Sequence, residues 1–355
     1  MDHAAQLFRV SARIGRLMAE DGGAGVDPEV LEAALKRAAE TVVRTCMQIQ
    51  RTENVLVVTD PHTAVIGQAL YEAAAVVSDR VLLMMMPSSQ RHGDEPPQPV
   101  ADLMRKQDVV IAPTRYSLTH TRARMAASRE GTRIATMPGI TLQMFTEGGM
   151  TTDFNTMQTA IAQLGKSIRR RRSARVTTEA GTDVTFEIAS RWELADNGIC
   201  NRPGQVTNLP AGKIFCLPKE GTMQGKIVFD GAWDARLLPN PLTIEIEDGQ
   251  VVRITGEGSD DVKATFVEAS RKLKPRHQSS VWNMAEFGFG MNPRARLVGN
   301  VLEDEKVQGT CYFAIGDNTS LGGSAACGMR ITGVLKQPTV MLGDFELMRD
   351  GDLKA

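Results

Sequence analysis

The chain of 355 residues has few histidines, only His3, His62, His92, His120 and His277, and none lies beyond position 277. Metal centres of the usual nitrogen and oxygen type draw on two or three imidazoles or carboxylates converging on one point, so the C-terminal quarter offers no imidazole for one. There is no excess charge of either sign: 41 basic residues stand against 42 acidic ones. That balance gives no global field to draw in nucleic acid or an anionic membrane, and neither partner is expected. Long apolar runs are missing too. The longest, Val81 to Pro87 and Val109 to Pro113, fall far short of the roughly 20 residues that span a bilayer. The N-terminus, MDHAAQLFRVSARIGRLMAEDGG, interrupts its apolar pattern with charges and does not read as a signal peptide, so a cytoplasmic location is expected. No Cys-x-x-Cys pair occurs, and Cys46, Cys200, Cys216, Cys311 and Cys327 are odd in number and scattered. A disulfide framework and a thiolate zinc site are both disfavoured, and the five are read as reduced thiols.

What is present is an ordinary globular composition, 42% hydrophobic and 23% charged, long enough for two domains. Two amphipathic helices are predicted in the first 50 residues, parted by the Gly-rich break at Asp21 to Gly25, with Asp27-Pro28 opening the second. NVLVVTD (Asn54 to Asp60), RVLLMMM (Arg80 to Met86), DVVIAPT (Asp108 to Thr114) and TRIATMP (Thr132 to Pro138) read as strands. Helical stretches at Thr63 to Val77, Val100 to Lys106 and Thr121 to Ser128 alternate with them. That order predicts an α/β N-terminal domain with a parallel sheet. The polar, Pro-rich PSSQRHGDEPPQP after Met86 is an exposed loop and a candidate lid. A helix from Phe154 to Ile168 runs into Arg169-Arg170-Arg171-Arg172, which reads as a solvated helix end favoured by the macrodipole, since no aromatic platform for nucleic acid accompanies it. The domain boundary is placed there: residues 1–168 form the first domain and 169–355 the second. The second half holds short β-rich runs with turns at EAGT and EDGQ and one helix near Asp260 to Leu273, an α+β C-terminal domain rich in antiparallel strands.

Glycine and polar residues are densest between Ala285 and Gly333, in AEFGFGMNPRA, LEDEKVQGTCYFAIGDN and LGGSAACGMRITGVL, which makes this stretch the candidate site. GFGMN lacks the third glycine and the strand-turn-helix setting of a dinucleotide fingerprint, so a nicotinamide site is not expected. His62 and His120 lie at the ends of predicted strands of the first domain, where α/β sheets often bind ligands, though a structural role is the simpler reading.

Several phrases resemble the aminopeptidase T family of metallo-aminopeptidases and its relative, 2,5-dihydroxypyridine 5,6-dioxygenase. They are SLTHTRAR (Ser117 to Arg124), MPGIT (Met137 to Thr141), NLPAGKIFCLPKEGTMQGKIVFDGA (Asn208 to Ala232), AEFGFGMNP (Ala285 to Pro293), LEDEK (Leu302 to Lys306) and GTCYFAIGDN (Gly309 to Asn318). The resemblance implies an α/β N-terminal domain, a β-rich C-terminal domain carrying the active-site cavity, and a homodimer. It also implies metal ligands, and most of these are changed. Gly212-Lys213 replaces a carboxylate, Tyr312 replaces a histidine, and Arg330 and Thr332 fall on the family's later HxD pair; only Glu286 keeps its type.

A permanent guanidinium in such a cavity would repel a divalent ion, so the expectation is no metal and no cofactor, with a divalent metal as the alternative. The expected function is a divergent, metal-independent, hydrolase-like enzyme acting on an amide-type bond of a small polar or carboxylated substrate. Glu286, Tyr312, Lys213, Arg330 and Cys311 are the candidate catalytic residues, with Cys327 a further possible nucleophile; Arg330, Asn318, Asp317 and Thr332 are the candidate substrate-binding residues. A catalytically silent homodimer that binds a metabolite or short peptide is the second reading, and a metal-dependent aminopeptidase or ring-cleaving dioxygenase with an atypical site is the third. Glu303, Asp304, Glu305 and Lys306 read equally as a solvated turn or as part of the cavity mouth or dimer contact.

Overall fold

The computed structural model describes residues 27–189 and 192–354. The first of the two expected N-terminal helices, the break at Asp21 to Gly25 and His3 lie outside the described residues. The chain divides into two compact units, residues 1–154 with 198–210, and 155–197 with 211–355. The division therefore falls at Phe154 rather than after Ile168. Residues 198–210 return to the first unit because a late strand completes its sheet, a long-range pairing that local periodicity cannot reveal.

In the first unit, α1 (Pro28–Glu40) is capped by Asp27, whose carboxylate accepts from the Glu29 N–H. Then β1 (Val55–Thr59), α2 (Ala64–Ala75), β2 (Val81–Met85), α3 (Gln98–Met104), β3 (Val109–Thr114), α4 (Arg122–Arg129) and β4 (Arg133–Pro138) alternate as expected. A short α5 (Leu142–Thr146) follows. The sheet runs in the order β2-β1-β3-β4-β7, all parallel, with β7 (Val206–Asn208) the late addition at the edge. Strands β1 and β3 are buried along their whole length, which is why they read as continuous apolar runs. Leu56, Val58, Val110, Ala112 and Ile134 form their core with Met104 and Leu118. Residues 87–97 form neither helix nor strand.

The second unit opens with α6 (Phe154–Ile168) and builds two antiparallel sheets. The larger joins β5 (Ser173–Thr177), β6 (Asp183–Glu187), β9 (Gln224–Phe229), β12 (Leu242–Glu247) and β13 (Gln250–Gly256) to the C-terminal β17 (Thr339–Leu342), β18 (Phe345–Arg349) and β19 (Asp352–Leu353). The smaller runs β11-β10-β16-β15-β14-β8, with β8 Lys213–Cys216, β10 Ala232–Trp233, β11 Arg236–Leu237, β14 Met284–Gly290, β15 Thr310–Gly316 and β16 Arg330–Lys336. Helices α7 (Ser259–Arg271) and α8 (Val301–Asp304) complete the unit. Of the Arg169 to Arg172 run, Arg171 pairs with Asp344 and lies over the Phe345 ring. No helix among the described residues is long and apolar enough to cross a membrane.

Helix α2 packs on β1 through Gly67, where an added Cβ would meet the Thr59 Cβ at 2.7 Å. Alanine gains about 1 kcal/mol in helix propensity over glycine, but overpacking of this kind costs about 1–3 kcal/mol, so Gly67→Ala is expected to lower the urea midpoint of the first unit. A raised midpoint would show that α2 can shift away from the strand.

Candidate functional site

Strand alternation assembles the site. On β14 to β16 the residues facing one side are Glu286, Gly288 and Gly290, then Tyr312, Ala314 and Gly316, then Arg330, Thr332 and Val334, because successive side chains point to opposite faces. Register sets Glu286 beside Ala314 and Ala314 beside Thr332, Gly288 beside Tyr312, and Gly290 beside Lys213 of β8. The small residues open the face. A Cβ at Gly288 would lie 2.5 Å from the Tyr312 ring, and one at Gly290 only 2.0 Å from the Val307 carbonyl oxygen, so the phenol and the segment after α8 both sit directly on glycine. A register shift between Met284 and Glu286 leaves Ala285 as an extra residue, a bulge beside the site. The opposite face is apolar, with Phe287, Phe289 and Phe313 packed against Phe186 and Trp192.

Long polar side chains meet in the opened space. The Lys213 ammonium donates to Glu305 Oε2 at 2.6 Å and to Glu286 Oε1 at 3.3 Å, and its Nζ lies 4.7 Å from the Phe215 ring centroid and 5.0 Å from that of Tyr312. The Arg330 guanidinium reaches Glu286 Oε2 at 3.0 Å and Glu305 Oε1 at 3.2 Å, and donates to Thr332 Oγ1 at 3.2 Å. Thr332 in turn donates to Glu305 Oε1 at 3.0 Å, and the Tyr312 hydroxyl donates to Glu286 Oε1. Lys306 completes the group, 3.4 Å from Glu305 Oε2 and 4.0 Å from Asp196 Oδ2.

Three carboxylates thus face three cations. The Arg330 side chain keeps 30% of its accessible surface, whereas Lys213 keeps 12%, Glu286 6%, Glu305 4% and Lys306 2%. Arg330 is therefore the charged member of the cluster most open to solvent.

The electrostatics follow from burial opposed by charge. Burial pushes Glu286 upward, but Arg330 and Lys213 overcome it and hold the carboxyl below its usual range. Glu305 is held well below for the same reason: burial is outweighed by Lys213, Arg330 and Lys306. Burial lowers Lys213, yet Glu286 and Glu305 raise it overall. Burial and the neighbouring carboxylates push Tyr312 well above an ordinary phenol. Lys306 moves the other way, lowered by burial and by Lys213, and burial raises Asp196. Asp304, at the end of α8, is raised to about 6 by burial, although backbone N–H groups including that of Val298 donate to it.

The chemistry of this donor set does not fit a metal. The carboxylate oxygens that would ligate one are engaged by an ammonium, a guanidinium and hydroxyls. Among the described residues, no group of three or more His, Cys, Asp or Glu converges on one point.

Of the residues singled out from sequence, Glu286, Tyr312, Lys213, Arg330 and Thr332 come together. Cys311 does not. It lies on the opposite face of β15 from Tyr312, and burial raises its thiol well above the usual value. Nor do Asp317 and Asn318 join the cluster. Asp317 accepts from the backbone of Thr319, Cys327 and Gly328, and Asn318 donates to Glu220 and accepts from Ala325, so both shape the loop before β16. The Cys327 thiol donates to the Met329 carbonyl in that loop.

Sequence reasoning missed Asp196 and left Glu305 and Lys306 open between a solvated turn and a role at the cavity mouth or dimer contact; Glu305 and Lys306 are buried, and Glu305 pairs with Lys213, Arg330, Thr332 and Lys306. A signal was present. An acidic run with a lysine directly after a short apolar stretch cannot place every charge in solvent.

Removing one partner of a buried ion pair typically costs about 3–5 kcal/mol, so Glu305→Gln is expected to lower the unfolding free energy of the second unit by that amount. Glu187→Gln, which breaks an exposed pair with Lys219, is expected to change it by less than about 1 kcal/mol. Equal urea shifts in the two variants would show that the cluster is not a buried electrostatic unit. Asp304 supplies a pH test of opposite sign to the depressed glutamates. With its carboxyl raised from 3.8 to about 6, the folded chain binds the extra proton, so stability is full below the ordinary value and falls as pH rises through that window. Asp304→Asn is expected to flatten this fall in urea titrations, and an unchanged slope would remove Asp304 as its source.

Comparison with known proteins places this geometry in context. The family profile described as "NicX: 2,5-dihydroxypyridine 5,6-dioxygenase" matches residues 34–355. A curated 2,5-dihydroxypyridine 5,6-dioxygenase of Pseudomonas putida is 24% identical over 203 residues, 53% of this chain and 56% of that protein, so the match spans little more than half the length of the curated relative. Among solved structures, 2,5-dihydroxypyridine dioxygenase from Pseudomonas putida KT2440 is similar with a TM-score of 0.77 at 18% identity, covering 93% of this chain and 99% of that one. Wild-type AmpT from Thermus thermophilus gives 0.66 at 14% identity, covering 91% and 99%.

Proposed function

The chain belongs to the 2,5-dihydroxypyridine 5,6-dioxygenase family, and on that premise we propose that its second unit is a metal-independent site for a small polar or carboxylated molecule, with Arg330 as the recognition group. One observation carries the reading: Lys213 and Arg330 each reach both Glu286 and Glu305, so two tethered cations fill the space between the carboxylates. A divalent ion would have to displace both while sharing the space with a charge that cannot be titrated away. Arg330 can offer its exposed edge to a carboxylate in the planar, two-pronged geometry that guanidinium groups favour, while its inner edge stays fixed by Glu286 and Glu305.

A second reading, turnover of an amide-type bond without metal, is favoured by the Tyr312 hydroxyl and Lys213 ammonium both donating to Glu286 Oε1. In it Glu286 relays a proton while Lys213 and Tyr312 offset negative charge developing on the substrate. The depression of Glu286 works against it as a base near neutral pH, which ranks binding ahead of turnover. Dioxygenase activity of the kind the family name describes is not part of either reading. A second copy of the chain is the partner that the resemblance to aminopeptidase T supports, with the assembly a homodimer.

Elemental analysis of the chain purified without chelator is expected to find iron, zinc and cobalt far below one per chain. One or two ions per chain at full occupancy would overturn the proposal. With a panel of small carboxylates, Arg330→Ala is expected to weaken binding about tenfold or more, the loss of a charge-assisted pair. Glu286→Gln separates the readings: loss of turnover with binding retained selects the second, and unchanged binding and turnover in both variants would remove the site.

A further inference from the structure

The phrase SLTHTRAR plays no part in the site described above, yet it occupies a prominent place in the first unit. The sheet order β2-β1-β3-β4-β7 reverses direction between β1 and β3, and in open α/β sheets the crevice outside the carboxyl ends of the strands at such a reversal is the usual place for a ligand. The β3–α4 loop, residues 115–121, lies at that end. At its start Arg115 is exposed, donates to His62 Nε2 at 2.9 Å and packs 5.4 Å from the Tyr116 ring centroid. Asp60, the carboxylate at the end of β1, is buried and spends its oxygens on the N–H groups of His62, Thr63 and Arg115 and the Thr63 hydroxyl, leaving the Arg115 guanidinium without it.

At the loop's far end, Arg124 is half-buried in the first turn of α4. Its Nε donates to the Thr119 carbonyl at 2.6 Å, and among the described residues its terminal nitrogens meet no carboxylate. Burial, together with Arg129, lowers its pKa, the mark of a guanidinium with no compensating anion. Beside it the Thr119 and Thr136 hydroxyls, 2.7 Å apart, both point at Asn208 Oδ1 at the end of β7. That fixes the Asn208 amide, and its NH2 donors find no acceptor among the described residues. A half-buried cation and an oriented amide, neither of them with a carboxylate partner among the described residues, stand at the same strand ends.

We propose that this end of the first unit is an oxyanion site, in which the Arg124 guanidinium and the Asn208 amide, with Arg115 at the switch-point side of the loop, hold the carboxylate or phosphate group of a small organic ligand. The anion supplies the acceptors that the donors lack, and the Thr119, Thr136 and Asn208 bonds set the amide in place before it arrives.

Calorimetric titration of the intact chain with inorganic phosphate and, separately, with benzoate tests the site. At least one is expected to bind at one equivalent with millimolar or better affinity, and the preferred probe identifies the group. Arg124→Gln is expected to weaken that binding about tenfold or more, and Asn208→Ala several-fold, with folding checked by circular dichroism. Arg122→Gln, at an exposed residue paired with Glu95, is expected to bind as the unaltered chain does. Absence of binding by both probes overturns the proposal. So does a loss that follows Arg330→Ala in the second unit but neither Arg124→Gln nor Asn208→Ala.

Discussion

The carboxylate of Glu305 is the constraint on which the second unit turns. It takes hydrogen bonds from Lys213, Arg330 and Thr332 on a sheet face, and it comes from a chain segment that crosses over that face rather than from the sheet itself. An isolated buried carboxylate would be prohibitively costly, so the cations are obligatory, and each holds a different strand to the crossing segment. Lys213 ties β8, Arg330 ties β16, and Glu286 on β14 shares both. The polar cluster is therefore also a clamp on the architecture, and its geometry is set by the pairing register as much as by the side chains.

Side chains alone supply the positive charge that these carboxylates need. A divalent cation among carboxylates holds several strands at once. Here two univalent side chains carry equal total charge to the same oxygens from fixed stems, with the Tyr312 hydroxyl and Thr332 satisfying further oxygen valences. A fixed guanidinium has no exchangeable coordination position and no redox chemistry, so it suits recognition of an anion better than redox catalysis.

Much of this was legible in the sequence, for identifiable reasons. Continuous β-branched runs such as Val55 to Val58 report a parallel strand buried on both faces, and the first sheet followed from them. Tyr312, Lys213 and Arg330 were reachable because their residue types depart from a recognisable pattern, and Glu286 because it keeps to it. Cys311 could have been set aside by strict alternation, since it neighbours Tyr312 on one strand and must face the other way. Asp196 and the return of residues 198–210 to the first sheet were hidden, because each depends on contacts between segments far apart in the chain. Asp317 and Asn318 were misread for a related reason: polar residues in a Gly-rich loop look alike whether they await a ligand or bind their own backbone.

The phenol of Tyr312 lying on Gly288 sets an order on any attempt to build a metal centre here by substitution. An imidazole is smaller than a phenol, so histidine at 312 meets no steric barrier, and Gly288 leaves it room. Yet that histidine would gain nothing while Arg330 and Lys213 still occupied the carboxylates, and removing either cation first would strand Glu286 and Glu305 with uncompensated charge. Single substitutions toward a metal site thus pass through less stable chains, a barrier made of ion pairs.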